Sequence, residues 1–573
     1  MRRFFIPLSG AIVVALGVIG YFFVLPALAA GPSLNGNWKI TFFQPSGQEM
    51  SVWILQIETK DGARVAKVLS AIRDELRHAK VVKMEETDKA LRFTMHVEQG
   101  GDTVEVPVIM LFPEKEANPN VLRGTMTLSA QRLFAQMERT DLKDLDNDSA
   151  SDDSAVPLMM KAVRTRDAKA QEKLYAEVIQ TNADKPLAYF GGIGLLNALI
   201  KQGKGLDDLR KPAEAALAVA AAHGAEMKQI ATAEIASVLS SGAQSAPLAV
   251  EYARQAEKNL TDGDAPEVKV AILKTLVNAL RKSGKADEAK QFQPRIDKLE
   301  ETLDAEYLKV AVPFKPKIFG GRAGNENRVV LMELFTGAHC LPCIAADVAF
   351  DGLLQTYKPS DVVFLQYHLH APSPDPLTNA DGEARSRYYD VAGTPTSFLN
   401  GQPGPEVHGG KQEARPGYAR LFKEIGDELK TETKAAIQLK AQRKGDIITI
   451  AAGVSGLETT GEKVRLRLAL VEEVVRYQGL NGQRLHHNVV RGFPGGVDGV
   501  KLLKSASQHE QIVQIKELAK SLSDYLTASN EKRPFMGVER PMELNHLKVV
   551  AFIQNDDDKK VLQAVQADVE EKK

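Results

Sequence analysis

The sequence predicts a multidomain α+β protein: a β-barrel or sandwich domain, an α-solenoid, an α/β domain and a C-terminal β-sandwich. Three observations carry that reading. Apolar residues alternate with period two near both ends of the chain, a long alanine- and leucine-rich helical tract lies between, and the two cysteines sit three positions apart at a strand-to-helix junction. A chain of 573 residues has room for three to five domains at roughly 100–200 residues each. Its 44% hydrophobic and 26% charged content is that of a globular protein. The formal net charge of −1 offers no global field toward nucleic acid, which is set aside as a partner.

Residues 1–30 read as a signal peptide or an N-terminal membrane anchor. Arg2 and Arg3 precede an apolar stretch from Phe4 to Leu28, and Ala27-Leu28-Ala29 has the small-x-small form of a signal-peptidase site. The same stretch reaches the about 20 residues that span a bilayer, so both fates stand. Either one places the rest of the chain outside the cytoplasm, in a periplasm or cell envelope.

Residues 34–141 read as a small antiparallel β domain. Leu91, Phe93, Met95 and Val97 alternate with polar neighbours, as do Val104, Val106, Val108 and Met110, and Asp61-Gly62, Gly100-Gly101 and Asn118-Pro119 mark turns. Residues 142–156 are acidic and small, a solvated linker. Residues 157–309 turn helical, with similar helix starts near Ala170, Ala213, Ala253 and Ala289. The stretch around Gly284 to Ala289 resembles the turn of a tetratricopeptide repeat, which implies helical hairpins that either bind a protein or space the flanking domains. Residues 432–573 return to β patterning, with a helix expected at about 507–528.

Residues 310–431 carry the chemistry. The run Val329 to Phe335 reads as a buried strand, Cys340-Leu341-Pro342-Cys343 follows, and AADVAFDGLLQTY continues as a helix. A bridge closing so short a loop restricts the unfolded chain little, so reversible chemistry explains the pair better than stapling does. At a helix N-terminus, unpaired amides and the dipole favour a thiolate. Cys340 is therefore expected to attack a substrate disulfide and Cys343 to resolve the mixed disulfide. A second strand, Asp361 to Tyr367, and a helix near 380–390 lead to Gly393-Thr394-Pro395-Thr396.

Strand, Cys-x-x-Cys, helix, strand, helix and Gly-Thr-Pro in this order resemble the thioredoxin superfamily. The wording Glu333-Leu334-Phe335-Thr336-Gly337-x-x-Cys340-x-x-Cys343 is most similar to its thioredoxin-like outer-membrane-protein family, whose members carry a following β domain. Glu472, Tyr477, His486, His487, Asn488 and Arg491 continue the likeness. The resemblance covers residues from about 310 to 573. It implies that Pro395 is cis, packs on the cysteines and aligns a substrate backbone, with Thr394 presenting its backbone beside the disulfide. It also implies a redox-active Cys340–Cys343 disulfide with no other cofactor, protein thiols or disulfides as substrates, and an unidentified redox partner. Glu333 is the nearest acid to the position where a thioredoxin carries a buried aspartate, and is expected either to relay a proton or to face a polar neighbour and take no chemical part. His339 stands before the first cysteine, and either favours the thiolate when protonated or is an exposed loop residue.

Two other classes stay open. Cys340, Cys343 and His339, with His368 or His370, would make a copper(I) site of thiolate and imidazole. Alternatively the chain is a scaffold with a regulatory redox pair. His486 and His487, adjacent on a strand, face opposite sides and are read as structural.

Overall fold

Alternation decides the first sheet. The computed structural model describes residues 33–572 apart from 45–47, 100–101, 114–117, 129–130, 146–154, 184, 323, 325, 534 and 536–539. The expected signal or anchor segment and most of the acidic linker lie outside the described residues. Among those described, no helix is long and apolar enough to cross a membrane. The protein is a multidomain α+β chain that divides into two compact units, one reaching residue 291 except for 264–270, the other comprising 264–270 and everything from 292 onward.

In the first unit, eight strands form one antiparallel sheet: β1 (Gly36–Phe43), β2 (Glu49–Lys60), β3 (Ala63–Ala71), β4 (Lys80–Glu86), β5 (Ala90–Gln99), β6 (Asp102–Leu111), β7 (Val121–Leu128) and β8 (Gln131–Arg139). The order β3-β2-β1-β8-β7-β6-β5-β4 puts β3 and β4 at the two ends, joined through the short helix α1 (Asp74–Arg77), so the sheet nearly closes into a barrel. Leu91, Phe93, Met95 and Val97 on β5 and Val106, Val108 and Met110 on β6 fill its interior with Trp38 and Trp53.

Helices follow in sequence: α2 (Ala155–Arg164), α3 (Ala168–Thr181), α4 (Pro186–Lys201), α5 (Leu206–Ala221), α6 (Ala225–Leu239), α7 (Ala246–Lys258), α8 (Pro266–Lys282) and α9 (Ala286–Lys290). From α2 to α7 each packs on the next. The expected repeat positions fall in α3, α5, α7 and α9, every second helix.

The second unit begins with α10 (Gln293–Ala311), then β9 (Val330–Thr336), α11 (Ile344–Thr356), β10 (Val362–His368), α12 (Ala380–Tyr388), β11 (Thr396–Leu399), β12 (Gln402–Pro403) and α13 (Lys411–Glu428). Next come β13 (Ala436–Lys444), β14 (Ile447–Ser455), β15 (Gly461–Arg476), β16 (Leu485–Gly492), β17 (Val500–Leu502), β18 (Ser507–Gln514), α14 (Ile515–Lys532), β19 (Leu547–Asn555) and β20 (Val561–Glu571). The expected helix at 507–528 thus starts later, because Ser507–Gln514 alternates in burial and pairs with β14.

One sheet of 12 strands runs β12-β11-β9-β10-β16-β15-β19-β20-β13-β14-β18, with β17 pairing β15. Strand β9 pairs parallel with β10 and antiparallel with β11, and β10 pairs parallel with β16 at Gln366 and Val489. The boundary expected at residue 431 therefore separates chain segments and not sheets. Strand β9 is buried on both faces. Val330, Met332 and Leu334 pack against α11 and α13, whereas Leu331 and Phe335 join Tyr367, Val490 and Phe552 on the other side.

Candidate functional site

Strand β9 ends at Thr336, and a tight loop carries the chain to α11. Within it, the Cys340 amide donates to Gly337 O at 3.0 Å and the Cys343 amide to Cys340 O at 3.1 Å. Cys340 and Cys343 form a disulfide with their Cα atoms 5.3 Å apart, and Cys343 caps α11. The Thr394–Pro395 peptide bond is cis. Thr394 meets the disulfide directly: its carbonyl oxygen lies 3.7 Å from Cys340 Sγ and its hydroxyl 3.4 Å from the same sulfur. Beside them runs a groove of about 540 Å³ lined by Pro342, Thr394, Pro395, Pro405, Val407 and His408.

The loop is held from beneath by Asp375. Its Oδ2 accepts the Ala338 amide at 2.6 Å and faces His368 Nδ1 at 2.8 Å, while Oδ1 accepts the Leu377 amide at 2.8 Å. Burial pushes this carboxyl up, but the His368 partner and the two amides more than offset it, leaving it lowered to about 2.

Asp347, on α11 four residues beyond Cys343, is wholly buried. The Thr336 hydroxyl donates to it at 2.7 Å, and the side-chain amides of Gln366 and Asn481 donate at 3.4 Å each. Burial above all, with the nearby charges of Asp351 and Asp375, raises its pKa well above the ordinary carboxyl value. One turn further along α11, Asp351 Oδ1 lies 2.7 Å from His487 Nδ1. His487 is raised: burial lowers it, and the Asp351 carboxylate outweighs that.

Glu333 is not beneath the cysteines. Successive strand residues alternate faces, and Leu334 takes the face toward α11. Glu333 instead turns to the opposite face, where Arg385 donates to both its oxygens at 2.9 and 3.0 Å and the Tyr367 and Tyr389 hydroxyls donate at 2.8 and 2.6 Å. All four groups are buried. Every acceptor direction is used, so the expected relay is corrected to a structural ion pair.

His339 is only 5% exposed. The Leu480 amide donates to its Nδ1 at 3.3 Å, which leaves the proton on Nε2, 3.2 Å from the Tyr477 hydroxyl. Burial lowers its pKa, and His368 adds to this against the opposing pull of Asp375. Burial and acceptance from the Leu480 amide both favour the neutral imidazole here.

The alternative copper set does not assemble. His368 spends Nδ1 on Asp375 and sets Nε2 3.3 Å from Gln366 Oε1. His370 accepts the Asp375 amide at Nδ1 and stacks on Tyr525. No group of three or more His, Cys, Asp or Glu side chains among the described residues is arranged to hold a metal. The adjacent histidines of β16 separate as expected. His486 meets Tyr477 O and packs edge-on against His368, where burial lowers it to about 3, while His487 turns to Asp351.

Sequence reasoning missed Asp347, Asp375 and Asn481. A signal existed for the first: Asp347 and Asp351 interrupt an otherwise apolar helix at four and eight residues after Cys343. Asp375 and Asn481 sit in irregular segments with no periodic signature.

No family model matches the chain, and no curated protein matches it. Among solved structures, HBP35 of Porphyromonas gingivalis is similar at 14% identity over 43% of this chain and 76% of that one, with a TM-score of 0.30. The Pseudomonas fluorescens alkylpurine DNA glycosylase AlkC, bound to DNA containing an abasic site analog, aligns at 9% identity over 72% and 85%, with a TM-score of 0.13. Superpositions this loose carry no argument about fold or function.

Proposed function

We propose that residues 310–431 form a thioredoxin-like domain and that the chain is an exported thiol–disulfide oxidoreductase acting on protein thiols or disulfides. The observation that carries this reading is the contact between Thr394 and Cys340, made at the head of a helix and at the rim of an open groove. That arrangement presents a disulfide sulfur next to backbone on which an extended peptide can lie.

In the oxidising direction a substrate thiolate attacks Cys340 Sγ, the Cys340–Cys343 bond breaks, and Cys343 leaves as a thiolate that takes up a proton. A second substrate thiolate then attacks the substrate sulfur of the mixed disulfide, releasing Cys340 as a thiolate and the substrate as a disulfide. The reducing direction runs these steps backward. Asp347, one turn along α11 from Cys343, is the acid and base for the Cys343 proton, since residues four apart on a helix are neighbours. Its burial raises its pKa well above the ordinary carboxyl value, which favours a carboxyl that can donate to the departing thiolate. The helices of 157–309 supply a tetratricopeptide-like surface for protein binding.

The scaffold reading is favoured by one fact: Cys340 is only 2% exposed. A redox titration of the purified full chain separates the two, with free thiols alkylated and counted by mass. A two-electron transition between about −270 and −120 mV, abolished by Cys340→Ser, is expected of an oxidoreductase. A disulfide that resists reduction below about −300 mV is a structural bridge, and the scaffold reading then replaces ours.

A further inference from the structure

A thiol that exchanges with a disulfide must touch one of its sulfurs, so rate depends on access. Cys340 is nearly closed to solvent, and the loop leading to it is covered by the turn between β15 and β16, Tyr477 to Arg484. Gly479 lies so close that a Cβ there would sit 2.0 Å from the Ala338 carbonyl oxygen. The Asn481 amide donates to that same oxygen at 3.1 Å, and the Asn481 side chain reaches Gly337 O at 3.5 Å. Tyr477 and Leu480 take both nitrogens of His339. The turn thus meets residues 337–339 through these polar contacts and through Tyr477, which packs with Ala338, while Leu480 is 57% exposed and Leu341 58%.

The turn is clasped from its other side by α10. Arg484 donates to Asp304 at 2.7 Å and pairs with the buried Glu300, Arg476 donates to Asp304 at 3.0 Å, and the Tyr307 hydroxyl donates to Gln483 Oε1 at 2.6 Å. This eight-residue turn joins two strands of the sheet and can lift from residues 337–339 once the bonds of Gln483 and Arg484 to α10 release.

We propose that the Tyr477–Arg484 turn is a gate over the redox pair, held shut by Glu300 and Asp304, and that its lifting decides which thiols reach Cys340. Its sense as a selector of substrates rests on the oxidoreductase reading. With the gate lifted, an incoming thiolate bonds to Cys340 Sγ, the Cys340–Cys343 bond breaks, and Cys343 leaves as a thiolate and is protonated. The apolar rim of Leu341 and Leu480 then meets the residues that flank the incoming sulfur.

The test follows reduction of the oxidised full chain by glutathione, with alkylated thiols counted over time. Arg484→Gln removes a clasp and Gly479→Ala pushes the turn from Ala338. Arg484→Gln is expected to react at least about tenfold faster than the parent, the factor that loss of one charge-assisted hydrogen bond brings, and Gly479→Ala to react faster than the parent as well. The reduction potential should not change. Tyr307→Phe removes a single hydroxyl and serves if the other variants do not fold, with an expected rise of about threefold for one neutral hydrogen bond. Rates equal to the parent's in the folded variants overturn the gate. A potential below about −300 mV together with faster variants overturns the oxidoreductase reading and leaves the gate standing.

Discussion

The Asp375 carboxylate binds the Ala338 amide at 2.6 Å, and so anchors the backbone two residues ahead of Cys340. The same oxygen faces His368 on β10, which ties the cysteine loop to the neighbouring strand. Because its pKa falls to about 2 in the fold, Asp375 stabilises the protein above the unfolded value near 4 and loses that contribution as pH falls toward 2. The shift corresponds to about 2–3 kcal/mol. Denaturant titration between pH 5 and pH 2 is expected to show this loss in the parent and not in Asp375→Asn, which is already less stable at neutral pH.

Glu333 and Asp347 separate by function. Glu333→Ala leaves Arg385 buried without its carboxylate and is expected to cost about 3–5 kcal/mol of stability, with the reduction potential unchanged. Asp347→Asn keeps the volume and the Thr336 contact but cannot take a proton. Its expected effect is a slower resolving step and a changed pH–rate profile, with a smaller loss in denaturant midpoint. Equal pH profiles for Asp347→Asn and the parent would remove Asp347 from the mechanism.

The gate carries a pH dependence through His339. Its imidazole meets the Leu480 amide and the Tyr477 hydroxyl, and feels the Asp375 carboxylate and His368. Since the closed site lowers its pKa, the closed form is favoured fully above the free value near 6.5 and loses favour as pH falls below it. Protonation also ends acceptance from Leu480. Reduction of the disulfide, measured relative to free oxidised glutathione under the same conditions, should therefore quicken between pH 7 and pH 5. His339→Phe should flatten that response.

In the first unit, His223 follows α5 and sets Nδ1 2.9 Å from Gly124 O on β7, edge-on to Phe134. Burial lowers it to about 4. It stabilises the unit above the unfolded pKa near 6.5, and this is lost as pH falls through about 4, a change of about 3 kcal/mol. Thermal melts from pH 7 to pH 4 are expected to fall more steeply for the parent than for His223→Phe.

Period-two runs such as Leu91 to Val97, the helical tract after Ala155, and the strand–Cys-x-x-Cys–helix order were legible from residues alone. Each depends on neighbours within a few positions, whose spacing directly sets which face is buried. Thr394 beside Cys340 and the cis bond to Pro395 were identifiable by their place in a motif. The rest depended on contacts between segments far apart in the chain. Glu333 and Leu334 are adjacent acid and apolar choices on one strand, and only the side on which α11 packs decides which of them lies under the disulfide. Asp375, Asn481 and the turn from Tyr477 to Arg484 reach the loop from 37 to more than 130 residues away, in irregular segments without periodicity. The placement of the cysteine pair between a strand and a helix was thus local information, whereas its burial and its contacts with Asp375 and the 477–484 turn depend on the sheet that joins β10 to β16.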